Sequence, residues 1–474
     1  MIKAKPLVPV KTKLGYAAAA LSDGTAYVFF YSFFLLFLTD YAMIDPLLAG
    51  SISLIVVICN AVMDPVIGWL SDNFNSKAGR RRPFFIIGII PWVITLILMF
   101  SVVDFSPAAQ FAYYTMMAVL FWASYSLCDT PYKALGAELT QDYSERATIR
   151  LYVQVFSSAG TGISGVFTMM LVVGFAMTFS TSEPGAWTYV AGLFAIISLA
   201  GYLVTFFSMK NWDKPLASRT DIETTKDRNL FKTYAQLLKE VKPLKWIVFA
   251  IFAFMIGNSL YGAGIFYMYR ELLGWTPEQI ALAMLTLGVA AIGGPAILNI
   301  FIKLSDKKTV LSVCLAISTA SLFAFRFIGI STTAECYVYL FLYAASNIGF
   351  WGLIWAIVYD TSEVDELLHS KRREGSTTAF GSMVQKFGSA FAMWLMGFAL
   401  AMSGYDATLE VQPDTALTGI LNTVTLYPGI FTLLSLVFLI IYPLNGKAYA
   451  LVTKAIKDKK ETGEYSREGL DRII

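Results

Sequence analysis

The chain has 474 residues, of which 57% are hydrophobic and only 15% are charged. A soluble globular domain carries roughly 25% charged residues, so this composition excludes an ordinary soluble protein and indicates an integral membrane protein. The formal net charge of +3 comes from cations that lie between apolar segments, and it therefore does not indicate nucleic-acid binding.

Apolar segments follow one another along the whole chain. A membrane helix needs about 20 apolar residues, and the sequence supplies about twelve such segments. They lie near residues 14–38, 44–70, 84–102, 109–137, 148–176, 186–208, 245–269, 278–302, 309–328, 335–359, 376–402 and 425–445. The pattern predicts an all-α membrane protein of about twelve transmembrane helices. The first segment is as long as a spanning helix, so we expect no cleavable signal peptide.

Cations are distributed unevenly between the two sides of these helices. One set of connections holds Lys77, Arg80, Arg81, Arg82, Arg146, Arg150, Lys303, Lys307, Lys308, Lys371, Arg372 and Arg373. The opposite set shows only Arg270 and Arg326. Because positively charged loops stay in the cytoplasm, both termini are predicted to be cytoplasmic and the number of helices to be even.

A long polar stretch divides the chain near its middle. We predict an N-terminal six-helix bundle over residues 1–208 and a cytoplasmic central loop over 209–244. A C-terminal six-helix bundle over 245–445 and a cytoplasmic tail over 446–474 follow. Two six-helix bundles around a central cavity are the arrangement of major facilitator transporters.

Asp64 lies deep in the second apolar segment, with no Lys or Arg nearby in sequence. A charged side chain in a membrane helix costs roughly 2.5–3.5 kcal/mol on insertion scales. Such a residue usually faces a bundle interior or a water-filled cavity, where it binds a proton or a cation. The alternative is an aspartate at a helix end near the lipid headgroups, because Trp69 and Asp72 follow closely.

The loop after the second segment combines glycines with a cluster of charges. Its charged members are Asp72, Lys77, Arg80, Arg81 and Arg82. Arginines can pair with carboxylates and with the carbonyl ends of neighbouring helices, so we predict a conformational latch formed by Asp72 and the three arginines. The alternative is a plain positive anchor on the cytoplasmic side.

The sequence does not favour an enzyme. The four cysteines, Cys59, Cys128, Cys314 and Cys336, lie in or beside apolar segments without C-x-x-C spacing, which favours helix packing over metal binding or disulfides. The single histidine, His369, is predicted to lie in a charged loop. We find no His-based metal site, nucleophile–base motif or phosphate loop.

Several motifs, taken in order, resemble the glycoside–pentoside–hexuronide:cation symporters, the melibiose-permease family of the major facilitator superfamily. They are Asn60-Ala-Val-Met-Asp64-Pro-Val-Ile-Gly68 with its following loop; Asp129-Thr-Pro-Tyr132-Lys133 through Glu138, with Ser144-Glu145-Arg146; Asp360, Asp365-Glu366 and Lys371 to Gly375; and Val384-Gln-Lys386-Phe-Gly-Ser-Ala390. The resemblance covers almost the whole chain. It implies cation-coupled sugar transport across a bacterial inner membrane.

The resemblance implies a cation site. Asp64 matches the carboxylate that binds the coupling cation or proton, and Lys386 matches a membrane lysine near that site. Asn60 falls where the family often has a second aspartate, one helical turn from Asp64. Because one anionic ligand is lost, H⁺ coupling is favoured over Na⁺, and Na⁺ at Asp64 stays the alternative. Ser126 offers a hydroxyl ligand.

The resemblance also implies two sugar-binding aspartates, Asp23 and Asp129. Carboxylates facing each other across a cavity can accept charge-assisted hydrogen bonds from sugar hydroxyls. Without a sugar role, Asp23 would be part of a local polar kink with Gly24, and Asp129 would form a structural ion pair with Lys133. Pro131 is expected to bend or break this helix.

Lys133 departs from the family, whose galactoside-binding members often have an aromatic residue there. The family's arginine near the start of the fifth helix falls at Gln154, and Arg150 is a possible substitute. A cavity holding Lys133, Lys386 and Arg150 would suit an anionic sugar such as a uronide. The alternative is that Lys133 neutralises Asp129 and the sugar is neutral.

Aromatic residues make up 15% of the chain, and most are expected to face lipid or to pack between helices. Tyr125 and Trp351, with Tyr27, Tyr31 and Trp355, are candidates for stacking on a sugar ring. A lipid or lysolipid transporter of the same superfamily is the alternative function. A sensor without transport activity is disfavoured because no sizeable soluble domain is present. The sequence predicts no cofactor beyond the coupling ion and gives no oligomeric state.

Overall fold

A computed structural model gives the fold of the chain. It describes residues 8–74, 76, 79–139, 143–213, 230–369, 374–409, 411–462, 464–471 and 473–474, and within these helices the side chains of some residues are outside the description. The described residues form helices joined by short connections.

Fourteen helices, which we number in chain order, are present in the described residues. They are α1 Val10–Asp40, α2 Pro46–Asn73, α3 Arg82–Met99, α4 Pro107–Glu138, α5 Tyr143–Thr178, α6 Glu183–Ser208, α7 Leu230–Glu240, α8 Lys242–Leu272, α9 Pro277–Leu304, α10 Lys307–Ile328, α11 Thr333–His369, α12 Glu374–Ser403, α13 Asp414–Ile441 and α14 Gly446–Thr462. Each predicted apolar segment corresponds to one long helix. Ten of the helices are long and apolar enough to cross a membrane when only described residues are considered.

Two predicted helices are longer in the structure. Helix α11 continues ten residues beyond 359 and ends at His369, so this histidine lies at a helix end rather than in a loop. The second segment of α13, Leu426–Ile441, begins as predicted near residue 425, and a first segment, Asp414–Val424, precedes it that the apolar pattern did not indicate. Both extensions carry polar residues that interrupt the apolar pattern, although the backbone remains helical.

A break divides α13 at Thr425, whose backbone dihedrals leave the helical region at φ −121° and ψ −72°. Pro428 explains the break, because a proline has no N–H to donate to the carbonyl four residues earlier. That carbonyl belongs to Val424, and it accepts a hydrogen bond from the hydroxyl of Tyr339 instead. A side chain of α11 therefore replaces the missing backbone donor.

Three further helices differ from the sequence-based expectation. Helix α1 contains one π-helical stretch, Phe29–Phe33, and such stretches are frequent at functional sites. Helix α4 runs through Pro131 as one helix. The predicted break at Pro131 is therefore absent. Within the stretch predicted as a central loop, Leu230–Glu240 forms an amphipathic helix that buries Leu237.

The helices fall into two compact units. The first unit contains α1 to α6, and the second contains α7, α8 and α10 to α14, while α9 contributes residues to both. In the first unit, α1 packs against α5 and α6, α2 packs against α4, and α3 packs against α4 and α6. In the second unit, α8 packs against α12 and α13, and α10 packs against α11 and α13.

Small residues let α1 approach its neighbours closely. A Cβ atom on Gly24 would lie 2.2 Å from the carbonyl oxygen of Ser157, and one on Gly160 would lie 2.1 Å from that of Leu21. Both contacts join α1 to α5, backbone against backbone. Close approach through small residues is the usual way in which membrane helices gain packing contacts, and here it fixes Asp23 beside α5.

Candidate functional site

A cavity of about 340 Å³ lies inside the first unit, between α1, α4 and α5. Its volume is within the range of small-molecule sites. It is lined by Tyr16, Ala20, Asp23, Gly24, Tyr27, Tyr125, Asp129, Tyr132, Lys133, Gly136, Ile149, Arg150, Val153, Ser157 and Thr161. Five of the six predicted substrate-binding residues therefore line a single cavity, Trp351 being the exception.

A hydrogen bond from a side chain of α6 orients Asp23. The hydroxyl of Tyr202 donates a hydrogen bond of 2.8 Å to Oδ1 of Asp23, and the Tyr202 ring is fully buried. Trp92 packs edge-on against that ring at 5.2 Å between centroids. No other hydrogen bond to Asp23 occurs within the described part of the chain, so its second oxygen remains open to a ligand.

Asp129 and Lys133 form an ion pair one helical turn apart. Nζ of Lys133 lies 2.7 Å from Oδ2 of Asp129. The other carboxylate oxygen, Oδ1 of Asp129, is buried and accepts no hydrogen bond in the described residues. A buried acceptor without a partner costs about 1–3 kcal/mol, and a ligand hydroxyl that reached this atom would remove that cost.

Lys133 makes the ion pair that the neutral-sugar alternative expects, and the charge of the sugar stays a prediction. The Lys133 ammonium is neutralised by Asp129, as expected for a structural pair, although its side chain is 65% exposed. Arg150 also lines the cavity, is exposed, and makes no hydrogen bond or ion pair with any described side chain. Lys133 is thus paired with an anion, whereas Arg150 has no ionic or hydrogen-bond partner among the described side chains.

Aromatic residues form part of the cavity wall. Tyr16 stacks on Tyr132 with ring centroids 4.5 Å apart and donates a hydrogen bond of 3.1 Å to the carbonyl of Tyr132. A Cβ atom on Gly136 would lie 1.9 Å from the Tyr16 hydroxyl, so glycine is required there. Tyr27 and Tyr125 lie on the wall farther along α1 and α4.

The predicted cation site also comes together in the first unit. Oγ of Ser126 lies 2.8 Å from Oδ1 of Asn60 and 2.6 Å from Oδ1 of Asp64. Ser126 and Asn60 are buried, at 1% and 3% exposure, and Asp64 is half-buried. Three oxygens thus lie together where α2 contacts α4. Asp64 is half-buried and lies within α2, not exposed at its end.

The contacts of Ser126 are compatible with an ion at this site. A serine hydroxyl has one hydrogen to donate, and Oγ of Ser126 lies within hydrogen-bond distance of both other side chains. The second contact is satisfied by a proton on Asp64, by a cation among the oxygens, or by the N–H₂ group of Asn60 when its amide is turned toward Ser126.

Lys386 and Trp351 belong to the second unit, on α12 and α11. Lys386 is half-buried. Trp351 is 41% exposed and packs edge-on against Phe350, with centroids 5.6 Å apart. Their predicted roles in cation and sugar binding stay predictions.

The predicted latch arginines are buried, Arg80 at 8%, and Arg81 and Arg82 at 5%. Nε of Arg82 donates to the carbonyl of Phe206 at 2.8 Å, and its guanidinium lies over the ring of Phe206 at 4.3 Å. This is contact with the carbonyl end of a neighbouring helix, α6. The side chain of Asp72 lies outside the described residues.

Sequence reasoning missed the carboxylate that organises this region. Oδ2 of Asp213 accepts hydrogen bonds of 2.8 Å from the backbone amides of both Arg81 and Arg82. Gly79, at φ 110°, packs against the same carboxylate, since a Cβ there would lie 2.3 Å from Oδ2. A negative charge at the start of α3 is favourable because the helix N-terminus carries partial positive charge.

Comparisons with known proteins agree with this architecture. The family model for MFS/sugar transport proteins matches residues 15–446. The chain is 27% identical over 451 residues to the uncharacterized symporter YnaJ of Bacillus subtilis (strain 168), covering 94% of each chain. It is 24% identical over 453 residues to the glucuronide carrier protein homolog of Escherichia coli (strain K12), covering 95% of this chain and 96% of the relative.

Solved structures share the fold at low sequence identity. The inward-open xylose transporter XylE from E. coli aligns with a TM-score of 0.62 at 12% identity, covering 93% of this chain and 98% of that one. A D-xylose–proton symporter aligns with a TM-score of 0.58 at 13% identity, covering 90% and 94%.

These matches, together with the helical architecture, confirm the expected major facilitator fold and a membrane transporter rather than an enzyme. The chain belongs to the MFS/sugar transport protein family, and its relatives are symporters of the glycoside–pentoside–hexuronide group.

Proposed function

We propose that this protein is a symporter that moves a glycoside across the bacterial inner membrane together with H⁺. The observation that carries the proposal is the cavity in the first unit, where Asp23 and Asp129 each engage one oxygen with the protein while the other has no hydrogen bond in the described residues. Sugars are dense in hydroxyl donors, and a hydrogen bond to a charged acceptor contributes about 1.5–3 kcal/mol.

Aromatic rings supply the second element of sugar recognition. Tyr27 and Tyr125 line the same cavity as the two carboxylates. The C–H face of a sugar ring is apolar and packs on the face of an aromatic side chain, while the hydroxyls at its rim bond to the polar groups. Four ionisable groups on the wall make the cavity unfavourable for the acyl chains of a lipid substrate.

The names of relatives support a sugar substrate. The chain is 23% identical to the isoprimeverose transporter of Lactiplantibacillus pentosus and 22% identical to the raffinose carrier protein of Pediococcus pentosaceus. These identities are too low to name the sugar. They agree with a polyhydroxylated ligand in the cavity.

H⁺ is the coupling ion that best suits the oxygens around Asp64. Asn60 brings an oxygen without a charge, so the group of three with Ser126 contains one carboxylate. A Na⁺ site is usually built from several oxygens, and with one anionic ligand it is weakened. A single carboxylate is sufficient for one proton, and a protonated Asp64 is compatible with both contacts of Ser126.

Coupling follows from the charge on Asp64. An ionised carboxylate in the membrane interior is costly, and protonation lowers that cost. Proton binding and sugar binding would then favour the same states, and each raises the affinity of the other by the same factor. The two bundles rock between outward- and inward-open states around the bound ligands.

Transport by reconstituted vesicles tests the proposal. Wild-type vesicles should accumulate a glycoside from a panel when an inward H⁺ gradient is imposed, and a Na⁺ gradient should add little. Asp64→Asn should abolish gradient-driven accumulation while retaining exchange of labelled for unlabelled sugar. Asp104→Asn, at an exposed loop position, serves as the control and should behave as wild type.

Two results would contradict the proposal. Undiminished accumulation by Asp64→Asn would exclude this residue as the coupling site. Failure of every glycoside to exchange in wild-type vesicles would exclude sugar as the substrate class.

A further inference from the structure

We propose that His369 forms a pH-sensitive contact that docks α7 onto α11 in the second unit. Helix α7 lies in the stretch of chain between α6, the last helix of the first unit, and α8, the first long helix of the second. Its docking therefore decides how much of that stretch the second unit holds. The contact involves no residue of the sugar cavity or of the group around Asp64, so the inference goes beyond the proposed transport.

The imidazole of His369 lies between two carboxylates. Its Nδ1 is 3.0 Å from Oδ1 of Asp365, one turn earlier on α11, and its Nε2 is 3.3 Å from Oε2 of Glu240, the last residue of α7. The side chain of Asp365 is 1% exposed, whereas those of His369 and Glu240 are 34% and 38% exposed. The ring thus joins the two helices and stays accessible to protons from solution.

Both contacts are satisfied at once by a protonated ring. An ionised carboxylate only accepts hydrogen bonds, and a neutral imidazole has a single N–H to donate. The second nitrogen of the neutral ring carries a lone pair, which repels a carboxylate oxygen. An imidazolium donates from each nitrogen, so loss of its proton removes one of the two contacts. A proton on one of the carboxylates would also satisfy both, and the test below separates that alternative.

The remaining contacts of α7 are apolar. Tyr234 is 9% exposed, and its ring lies 4.9 Å from that of Phe380 on α12. Leu237 is fully buried. These residues and Glu240 recur at intervals of three, which keeps them on one side of the helix. A helix of 11 residues is too short to be stable alone in water, so α7 depends on this docked face and is sensitive to the loss of one contact.

Other charged residues surround the bridge without reaching the ring. Glu366 belongs to α11 and Lys239 to α7, and Lys459 of α14 donates a hydrogen bond to the carbonyl of Leu367, two residues before the histidine. The cations at 371–373 lie outside the described residues. In the described part of the chain the ring makes polar contacts only with the two carboxylates. Among these side-chain types, histidine is the one that ordinarily changes charge between pH 5 and 8.

The sign of the effect follows from the charge of the ring. The contact is complete where the imidazole is protonated, and it weakens as the pH rises through the range in which a histidine loses its proton. The apolar part of α11 is predicted to end near residue 359, so the last ten residues project from the bilayer on the side predicted to be cytoplasmic. Under the proposed H⁺ symport the transported proton arrives on this side, and transport itself would tighten the contact.

Hydrogen–deuterium exchange of the full chain in lipid nanodiscs tests the contact. Exchange of the backbone amides of residues 230–240, corrected for the intrinsic effect of pH, is measured from pH 5.5 to 8.5. It should rise roughly tenfold over this range, as expected for the loss of one charge-assisted hydrogen bond. The segment Asp414–Val424, which has the same length and belongs to the same unit, is the internal reference and should not change.

The protonation of the ring can be followed directly, because the chain contains a single histidine. In protein labelled with ¹⁵N-histidine, one pair of imidazole signals reports the charge of His369. The pH at which half of the change in exchange has occurred should coincide with the midpoint of that titration. A midpoint that differs from that of the ring would place the proton on a carboxylate and overturn the inference.

Variants assign the response to the bridge. His369→Gln and Glu240→Gln remove its two partly exposed members, and each should give high exchange in residues 230–240 that changes about twofold or less with pH. Lys239→Gln, at the neighbouring exposed position of α7, is the matched control and should keep the wild-type response. Melting curves of each variant show whether it is folded.

Three further results would overturn the inference. They are a wild type whose exchange does not respond to pH, a His369→Gln variant that keeps the tenfold response, and a Lys239→Gln variant that loses it as fully as Glu240→Gln does. The measurement uses no substrate, so each of these results leaves the proposed sugar transport standing, and a failure of transport leaves the contact standing.

Discussion

Tyr202 on α6 and Asp23 on α1 are joined by a hydrogen bond of 2.8 Å across 179 positions of sequence. The tyrosine is fully buried, so its hydroxyl has no access to bulk water as an alternative partner. The bond engages one oxygen of Asp23 with the protein, while the other has no hydrogen bond in the described residues, and Asp23 lines the cavity. Tyr202 is thus a positioning residue for the proposed sugar site.

Replacing Tyr202 by Phe should weaken substrate binding while leaving the fold intact. The ring and its packing are retained, but Asp23 loses the donor that orients it. A hydrogen bond to a charged group contributes about 1.5–3 kcal/mol, so a roughly tenfold or greater loss of sugar affinity is expected. Calorimetric binding in nanodiscs measures the effect.

Tyr189→Phe is the matched control for this prediction. Tyr189 lies on the same helix, is 48% exposed, and makes ring contacts only, with Phe175 and Phe179, in the described residues. Its loss of a hydroxyl should not change sugar affinity. If Tyr202→Phe binds sugar as tightly as the control does, the positioning role of Tyr202 is excluded.

The sequence predicts the parts of the site that depend on local spacing. Asp129 and Lys133 are four residues apart on a helix, so their ion pair can be anticipated from periodicity alone. Asn60 and Asp64 lie on one helical face for the same reason, and the family resemblance adds Ser126. The structure brings these residues together as expected.

Contacts between distant helices could not be predicted in the same way. Tyr202 and Asp213 lie far in sequence from Asp23 and Arg81, and no pattern of charge or hydropathy marks either residue as their partner. The helical extension of α13 was missed because polar residues after Asp414 resemble a loop. Its break depends on Pro428, but the replacement donor, Tyr339, is supplied by tertiary packing.

Removing the hydroxyl of Ser126 should alter coupling more than sugar binding. Ser126→Ala deletes the oxygen that contacts both Asn60 and Asp64, while the sugar cavity keeps all its lining residues. Loss of a bond to a charged group of about 1.5 kcal/mol corresponds to roughly tenfold. Because the lost bond stabilises the ionised form of Asp64, we expect H⁺-driven uptake to reach its half-maximal rate at a roughly tenfold lower proton concentration, measured from the pH dependence of initial rates.

Ser124→Ala controls for the loss of a buried hydroxyl on the same helix. Ser124 is 4% exposed, and its Oγ donates to the carbonyl of Leu120 within α4 at 2.7 Å. Its removal should leave the pH dependence unchanged. An identical pH profile for Ser126→Ala and Ser124→Ala would refute a role for Ser126 in ion binding.

Adding a methyl group at Gly160 should destabilise the first unit. The new Cβ would lie 2.1 Å from the carbonyl oxygen of Leu21, and the backbone of α1 cannot move away without disturbing Asp23. Overpacking of this kind typically costs about 1–3 kcal/mol. Gly160→Ala should therefore lower the melting temperature of detergent-solubilised protein and weaken sugar binding.

Gly162→Ala provides the comparison two residues farther along α5. A Cβ there meets no atom within 4 Å, and alanine has the higher helix propensity. This variant should melt at or slightly above the wild-type temperature. Equal melting temperatures for the two alanine variants would mean that the contact between α1 and α5 does not limit stability.

Asp213 should stabilise the start of α3 through the two amides that it accepts. Asp213→Ala leaves the backbone N–H groups of Arg81 and Arg82 without this partner, at a cost of about 1–3 kcal/mol for a buried unsatisfied group. A lower melting temperature is expected, and Asp213→Asn should recover part of the loss because an amide oxygen can still accept. Asp104→Ala, at an exposed position, is the control.

The same variants separate a structural anchor from a conformational latch. If the buried arginine cluster only supports the fold, Asp213→Ala will melt earlier but transport at the wild-type rate below its melting temperature. If the cluster stabilises one transport state, the variant will also change the rate of sugar exchange at temperatures where it is fully folded, because removing the contact shifts the population between the two states. Exchange rates measured against melting curves decide between the two, and an Asp213→Ala protein that matches Asp104→Ala in both would exclude either role.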